Sequence, residues 1–126
     1  AWSTAIVTAD AGSTAIKRVR FIGCQMDGTG AFYSGGSSKL IELVLNGNVF
    51  VGGVTLTLDQ QTDSVVCGNK IDGAIIINAG SQVVTGNIFP GSVTLQGAAV
   101  KSVFVGNSCG SLGNTMTGSS VVASNG

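Results

Sequence analysis

Residues 83–95 read VVTGNIFPGSVTL, and this stretch decides the fold. Valine and isoleucine favour β-strands because their branched side chains pack well on a pleated surface. Gly86 and Asn87 tolerate the left-handed backbone conformation that a sharp bend requires. A second bend is expected at the Pro-Gly pair, after which the letters VTL alternate between apolar and polar. The stretch therefore predicts three short strands joined by bends.

The same pattern recurs along the chain, about once every twenty residues. Gly-Asn pairs occur at Gly47-Asn48, Gly68-Asn69, Gly86-Asn87 and Gly106-Asn107, and Gly23-Cys24 occupies an equivalent position. Successive glycines, counted from Gly23, lie 24, 21, 18 and 20 residues apart. Apolar columns accompany them: Val54 and Leu56 align with Ile75 and Ile77, and with Val93 and Leu95. The repeat predicts an all-β, parallel β-helix of about five coils, each about twenty residues long.

The repeat also predicts how the chain is organised. Residues 1–126 are expected to form one β-helix domain. Within it, residues 1–18 form an incomplete first coil, residues 19–109 form regular coils, and residues 110–126 form an irregular cap or tail. An insertion at residues 29–38, rich in glycine and serine, is expected to bulge from the first coil as a surface loop.

Composition excludes several classes of function. The six basic and six acidic residues give zero formal net charge, and charged residues make up 10% of the chain. Such a chain lacks the basic surface of a nucleic-acid binder. The absence of histidine excludes His-based metal sites and Ser-His-Asp or Cys-His catalysis. No apolar run is long enough to cross a membrane. We therefore expect no nucleic-acid partner, no membrane insertion, no metal and no other cofactor.

The asparagines of the repeat predict a structural feature of their own. Coils stacked about 4.8 Å apart place equivalent residues in register along the axis. Asn48, Asn69, Asn87 and Asn107 would then form a ladder, in which each side chain bonds the backbone or amide of the next coil. Such a ladder pairs the polar groups that a buried bend would otherwise leave without partners.

Two aspartates are the candidates for catalysis. Asp27 and Asp72 each lie four residues after a repeat glycine, two coils apart. That offset corresponds to about 9.6 Å along the axis, at the upper end of the separation of about 6.5–9.5 Å between the carboxyl groups of an inverting glycosidase. Both residues also precede a glycine, which is common turn chemistry and the competing interpretation.

Aromatic residues give the candidate for glycan binding. Phe32 and Tyr33 lie in the predicted surface loop, outside the regular columns. Exposed aromatic rings stack on sugar rings, so this pair is the predicted glycan contact. The competing interpretation is that the two rings cover an end of the solenoid or meet a neighbouring subunit.

The coil pattern, as at residues 83–95, resembles that of right-handed parallel β-helices of the pectate-lyase type. It looks most like the versions found in bacteriophage tailspikes and other tail appendages. The resemblance implies a segment of a homotrimeric spike on the virion, outside the cell, that recognises a bacterial surface polysaccharide. An outer face rich in Thr, Ser, Ala and Val, with few charges, suits burial against other chains.

Two alternatives to this structural and host-recognition role stay open. One is a polysaccharide lyase or glycoside hydrolase of the β-helix class, with Asp27 and Asp72 as its carboxylates. We expect no catalysis in this chain, although a parent protein could degrade polysaccharide. The other alternative is a cytoskeletal polymer similar to the bactofilins, which are also β-solenoids.

Overall fold

The computed structural model describes residues 5–8, 15–34, 39–58, 63–78, 80–97, 101–116, 121–123 and 125–126. These residues form seventeen strands and no helix. The strands, in chain order, are β1 (Ala5–Thr8), β2 (Ala15–Lys17), β3 (Arg20–Ile22), β4 (Gln25–Asp27), β5 (Gly30–Ser34), β6 (Lys39–Ile41), β7 (Val44–Asn46), β8 (Val49–Val51), β9 (Val54–Leu58), β10 (Val65–Cys67), β11 (Lys70–Ile71), β12 (Ile75–Ile77), β13 (Val83–Thr85), β14 (Ile88–Leu95), β15 (Val103–Val105), β16 (Ser108–Asn114) and β17 (Val121–Ala123).

Six strands, one from each successive coil, form what we call the first face. Their order is β3-β7-β10-β13-β15-β17, and every neighbouring pair is parallel. The register is uniform: Val65 pairs with Val44 on one side and with Val83 on the other. Parallel strands stacked coil upon coil make a β-solenoid, so the predicted all-β solenoid is confirmed.

The second and third faces belong to one nine-stranded sheet. The second face holds β4, β8, β11 and the first residues of β14 and β16. The third face holds β1, β5, β9, β12 and the last residues of β14 and β16. The two faces are continuous because β14 runs from one to the other without a break. A separate two-stranded sheet pairs β2 with β6.

The core lies between the faces and is filled by alternate residues of each strand. In β9, for example, the first, third and fifth residues are buried and the two threonines are half-buried. Aromatic rings stack within this core: Phe32 meets Phe21 and Phe50 edge to face, with ring centroids 5.4 and 5.8 Å apart. Edge-to-face pairs of this kind add to the stabilisation that burial of the rings provides.

The register of the third face differs from the predicted one. Ile75 pairs with Val93, as predicted, but its partner in β9 is Leu56 rather than Val54. The cause is the turn before β9, which contains two consecutive glycines with positive φ angles, Gly52 at 96° and Gly53 at 88°. These extra residues shift β9 by two positions, which preserves the inward orientation of its alternate side chains.

The predicted surface loop at residues 29–38 is wrong for its described part. Residues 30–34 form β5, which pairs with β1 and β9, so this segment continues the third face. Phe32 points into the core because the alternation of β5 matches that of β9. Residues 35–38 lie outside the described residues.

The coil pattern also extends further than predicted. β16 pairs with β14, and β17 pairs with β15 in the uniform register of the first face. These strands lie within residues 110–126 or reach into them, where an irregular cap or tail was expected. The sequences of these strands are rich in small polar residues. They form strands nevertheless, because the backbone of the neighbouring coil offers hydrogen-bond partners.

The close stacking of coils makes a specific prediction for Gly73, in the turn before β12. A Cβ atom at this position would overlap the carbonyl oxygen of Val54 in the neighbouring coil. We expect Gly73→Ala to lower the free energy of unfolding by about 3 kcal/mol, measured by urea denaturation. Gly113→Ala is the matched control, because the nearest atom to its Cβ position, the oxygen of Val93, is 3.9 Å away. Equal losses in the two variants would contradict this account of the turn.

Candidate functional site

The Gly-Asn corner, where the first face meets the second, carries the most extensive polar arrangement in the described residues. The glycines of this corner have φ angles between 64° and 68°. The asparagine that follows each glycine turns inward and is about 1% exposed. Its backbone N–H donates to the Oδ1 atom of the next coil's asparagine, for instance from Asn48 to Asn69 at 2.9 Å and from Asn87 to Asn107 at 3.0 Å.

The side-chain amides of these asparagines bridge three consecutive coils. The Nδ2 atom of Asn69 donates to the Oδ1 atom of Asn87 at 3.0 Å and to the carbonyl oxygen of Leu45, in the preceding coil, at 2.8 Å. The other members repeat this pattern. The ladder therefore satisfies the donors and acceptors of each amide inside the protein, where an unpaired polar group would be costly.

The ladder has a fifth member that the sequence analysis missed. The Oδ1 atom of Asn125 accepts hydrogen bonds from the backbone N–H and the Nδ2 atom of Asn107, at 3.0 and 3.1 Å. A serine, not a glycine, precedes Asn125, so the search for Gly-Asn pairs did not find it. Its spacing of 18 residues from Asn107 was the available signal. We call Asn48, Asn69, Asn87, Asn107 and Asn125 the asparagine ladder.

At the other end, a cysteine replaces asparagine. The backbone N–H of Cys24 donates to the Oδ1 atom of Asn48 at 2.9 Å, so the first coil still joins the ladder through its backbone. The Cys24 thiol lies 3.5 Å from the carbonyl oxygen of Ile22. Cys24, Cys67 and Cys109 are half-buried free thiols, and burial raises the pKa of Cys109.

A second corner, which precedes the first face, was not predicted. In each of five coils one residue other than glycine adopts a left-handed conformation, with φ between 55° and 60°; these residues are Arg18, Glu42, Asp63, Ser81 and Lys101. We call them the left-handed corner. The next residue of each coil turns inward, as the asparagines do. Here the inward polar groups are fewer, and the Oγ atom of Ser102 accepts a hydrogen bond from the backbone N–H of Gln82 at 3.1 Å.

The structure places Asp27 and Asp72 on either side of one turn. Asp27 pairs with Val51 of the intervening coil, and Asp72 directly follows Ile71, which pairs with Phe50 of that coil. The two carboxylate oxygens of Asp72 accept hydrogen bonds from the backbone N–H groups of Gly52 and Gly53, at 3.0 and 2.9 Å. An Oδ1 atom of Asp27 lies 3.0 Å from the position that a Cβ atom of Gly52 would occupy. Asp72 thus stabilises the Gly52-Gly53 turn by these hydrogen bonds, whereas Asp27 is exposed.

The predicted glycan contact is wrong for Phe32. This ring is 1% exposed and packs between Phe21 and Phe50, so no face of it is available to a sugar. The backbone of Tyr33 forms part of β5, but its side chain lies outside the described residues. A role for Tyr33 in glycan binding stays a prediction.

Metal ligands, membrane-spanning helices and similar proteins bear on the function as well. Within the described residues, no group of three or more His, Cys, Asp or Glu side chains is arranged to hold a metal ion. No helix long and apolar enough to cross a membrane occurs in that part of the chain. A scan against protein-family models and searches of curated proteins and of solved structures gave no match.

The asparagine ladder can be tested at its centre. Asn87→Ala removes the acceptor of two N–H groups of Asn69 and the donor to Val66 and Asn107. We expect a loss of about 3 kcal/mol or more in the free energy of unfolding, because several buried groups lose their partners. Asn46→Ala, on an exposed side chain of β7, is the control and, measured at a concentration where the chain is monomeric, should change stability by less than about 0.5 kcal/mol. Equal urea midpoints for the two variants would contradict a special role for the ladder.

Two substitutions at the left-handed corner should shift the free energy of unfolding in opposite directions. The Oγ atom of Ser64 is buried and has no hydrogen-bond partner among the described residues. Ser64→Ala should therefore raise the free energy of unfolding by about 1 kcal/mol, because it removes a buried, unpaired hydroxyl. Ser102→Ala should lower it by a similar amount, since the N–H of Gln82 then loses its acceptor. Thermal unfolding of both variants measures the two shifts, and shifts of the same sign would contradict the assignment.

Proposed function

We propose that this chain is a structural segment of an extracellular, oligomeric appendage of the kind found in phage tailspikes and fibres. The observation that carries the proposal is the asparagine ladder, which is buried and saturated within the chain. The most extensive polar arrangement of the described residues thus holds coils together and does not line an open cleft. A stack of coils joined through side chains and backbone along its whole length suits a rigid spacer.

The resemblance of the repeat to tailspike coils supports the more specific part of the proposal. It favours a homotrimer displayed on the virion, and host polysaccharide as the ligand of the assembled appendage. The low charge of the chain supports assembly, because a surface with few charges is buried at a lower desolvation cost. With Phe32 in the core, glycan recognition is assigned to the assembled surface, and of the predicted aromatic pair Tyr33 stays the candidate contact.

Asp72 is better explained by the turn than by catalysis, whereas the exposed Asp27 stays a candidate. Asp72 has both oxygens engaged by backbone N–H groups of the Gly52-Gly53 turn. A nucleophile or general acid needs an oxygen directed at a substrate. This engagement favours a structural role, and the polysaccharide lyase or hydrolase remains an outcome for experiment.

Sedimentation velocity and electron microscopy test the proposed function. We expect the purified chain to associate at micromolar concentration into a discrete species, with the mass of three copies of the 12.5 kDa chain. A monomer over the whole range would overturn the proposal. End-to-end filaments would instead favour a polymer of the bactofilin kind. Release of oligosaccharide that is lost in Asp27→Asn would favour the enzyme.

A further inference from the structure

The outward side chains of the first face form a regular surface, because its strands share one uniform register. Two columns point outward on five successive strands, and we call them together the valine face. One column is Val44, Val65, Val83, Val103 and Val121; the other is Asn46, Cys67, Thr85, Val105 and Ala123. Val65, Val83 and Val121 are 37%, 39% and 53% exposed, values that are high for large apolar side chains.

The valine face carries no charged side chain, although charges border it. At one end Arg20 of β3, the sixth strand of the first face, continues the column of Val44 and is exposed. None of its ten outward residues is Asp, Glu, Lys or Arg. The left-handed corner runs along one edge and presents the exposed charges of Glu42, Asp63 and Lys101. An apolar centre with a charged rim is the usual anatomy of a protein–protein interface. A nucleic acid would need cations on this surface, and a sugar chain would need polar groups to pair its hydroxyls.

We infer that the valine face is covered by a second copy of this chain. The valines repeat along the axis at the strand spacing of about 4.8 Å, and a surface with the same period interdigitates with them rung by rung. A second copy of the chain has the same strand spacing because it has the same fold. The zero net charge of the chain removes long-range repulsion between copies. This inference rests on the proposed function, to which it adds the surface that assembles.

The size of the valine face sets the strength of the contact. Five strands of three residues have a footprint of about 24 Å by about 10 Å. Its accessible surface is on the order of 500 Å², so each contact between two neighbouring copies of the assembly buries on the order of 1,000 Å², near the lower limit of specific interfaces. Association through this face alone is therefore concentration-dependent. An assembled appendage strengthens this association, because it holds the copies side by side and so raises their effective concentration.

Cys67 reports directly on whether the face is covered. Its thiol lies in the valine face and is half-buried in the single chain. We expect the rate of maleimide labelling of Cys67 in the wild-type chain to fall at least fivefold between the low concentration at which the chain is monomeric and the high concentration at which it is assembled. Labelling is read by mass spectrometry of the peptide that contains Cys67. The control is Thr94→Cys, on the outward side of the third face, whose labelling rate should stay constant.

A charge placed on the face provides the second measurement. Val83→Lys should raise the dissociation constant of self-association at least tenfold, because an unpaired ammonium would be buried at the centre of the contact. Thr94→Lys is the matched control and should leave the constant unchanged. Circular dichroism establishes that both variants retain the β-structure of the wild type, and Cys67 labelling tests the inference even if Val83→Lys fails to fold.

The two proposals fail in different ways. A wild-type chain that stays monomeric overturns both the proposed function and this inference. A wild-type chain that associates while Cys67 stays equally reactive, or while Val83→Lys associates as tightly as the wild type, overturns the assignment of the valine face alone. Loss of association in Thr94→Lys but not in Val83→Lys would move the interface to the third face.

Discussion

The structure depends on pairing the backbone polar groups that each bend brings into the interior. A solenoid turns its chain inward at every corner, and an inward turn buries N–H and C=O groups that no strand partner can reach. The asparagine ladder solves this at the Gly-Asn corner, since one amide accepts from the preceding coil and donates to its neighbours on both sides. Because each coil supplies the acceptor of the one before it, the stack is cooperative along its axis.

The left-handed corner meets the same requirement less completely. Its inward residues include Leu43 and Ser64, and Ser64 leaves a buried hydroxyl without a partner among the described residues. Five residues other than glycine adopt positive φ there, a conformation that side chains disfavour. Coil-to-coil pairing on either side holds the backbone in this conformation. The two corners thus differ in what stabilises them. The Gly-Asn corner is held by a continuous series of hydrogen bonds through the asparagine ladder, whereas the left-handed corner is held by the strands on either side of it.

The same regularity shapes the outside of the molecule. Strands held in one register carry their outward residues into columns, so a valine at one position becomes a stripe along the axis. That stripe connects the fold to the proposed function, because a flat surface with the strand period fits another surface of the same kind. The left-handed corner carries several charges, and there the Arg18 side chain pairs with Glu42 at 3.0 Å. An ion pair at such exposure adds little stability.

The sequence by itself determined the repeat, the all-β class and the positions of four ladder asparagines, because these depend on residues within one coil. Glycine, asparagine and alternating valines are local signals with a local physical cause. The tertiary structure decided the two-residue shift of β9, the burial of Phe32, the place of Asn125 in the ladder and the left-handed corner. Each of these depends on which residue of the neighbouring coil lies opposite. Phe32 could not be placed until β5 had β9 as its partner, since only the partner's register tells inward from outward.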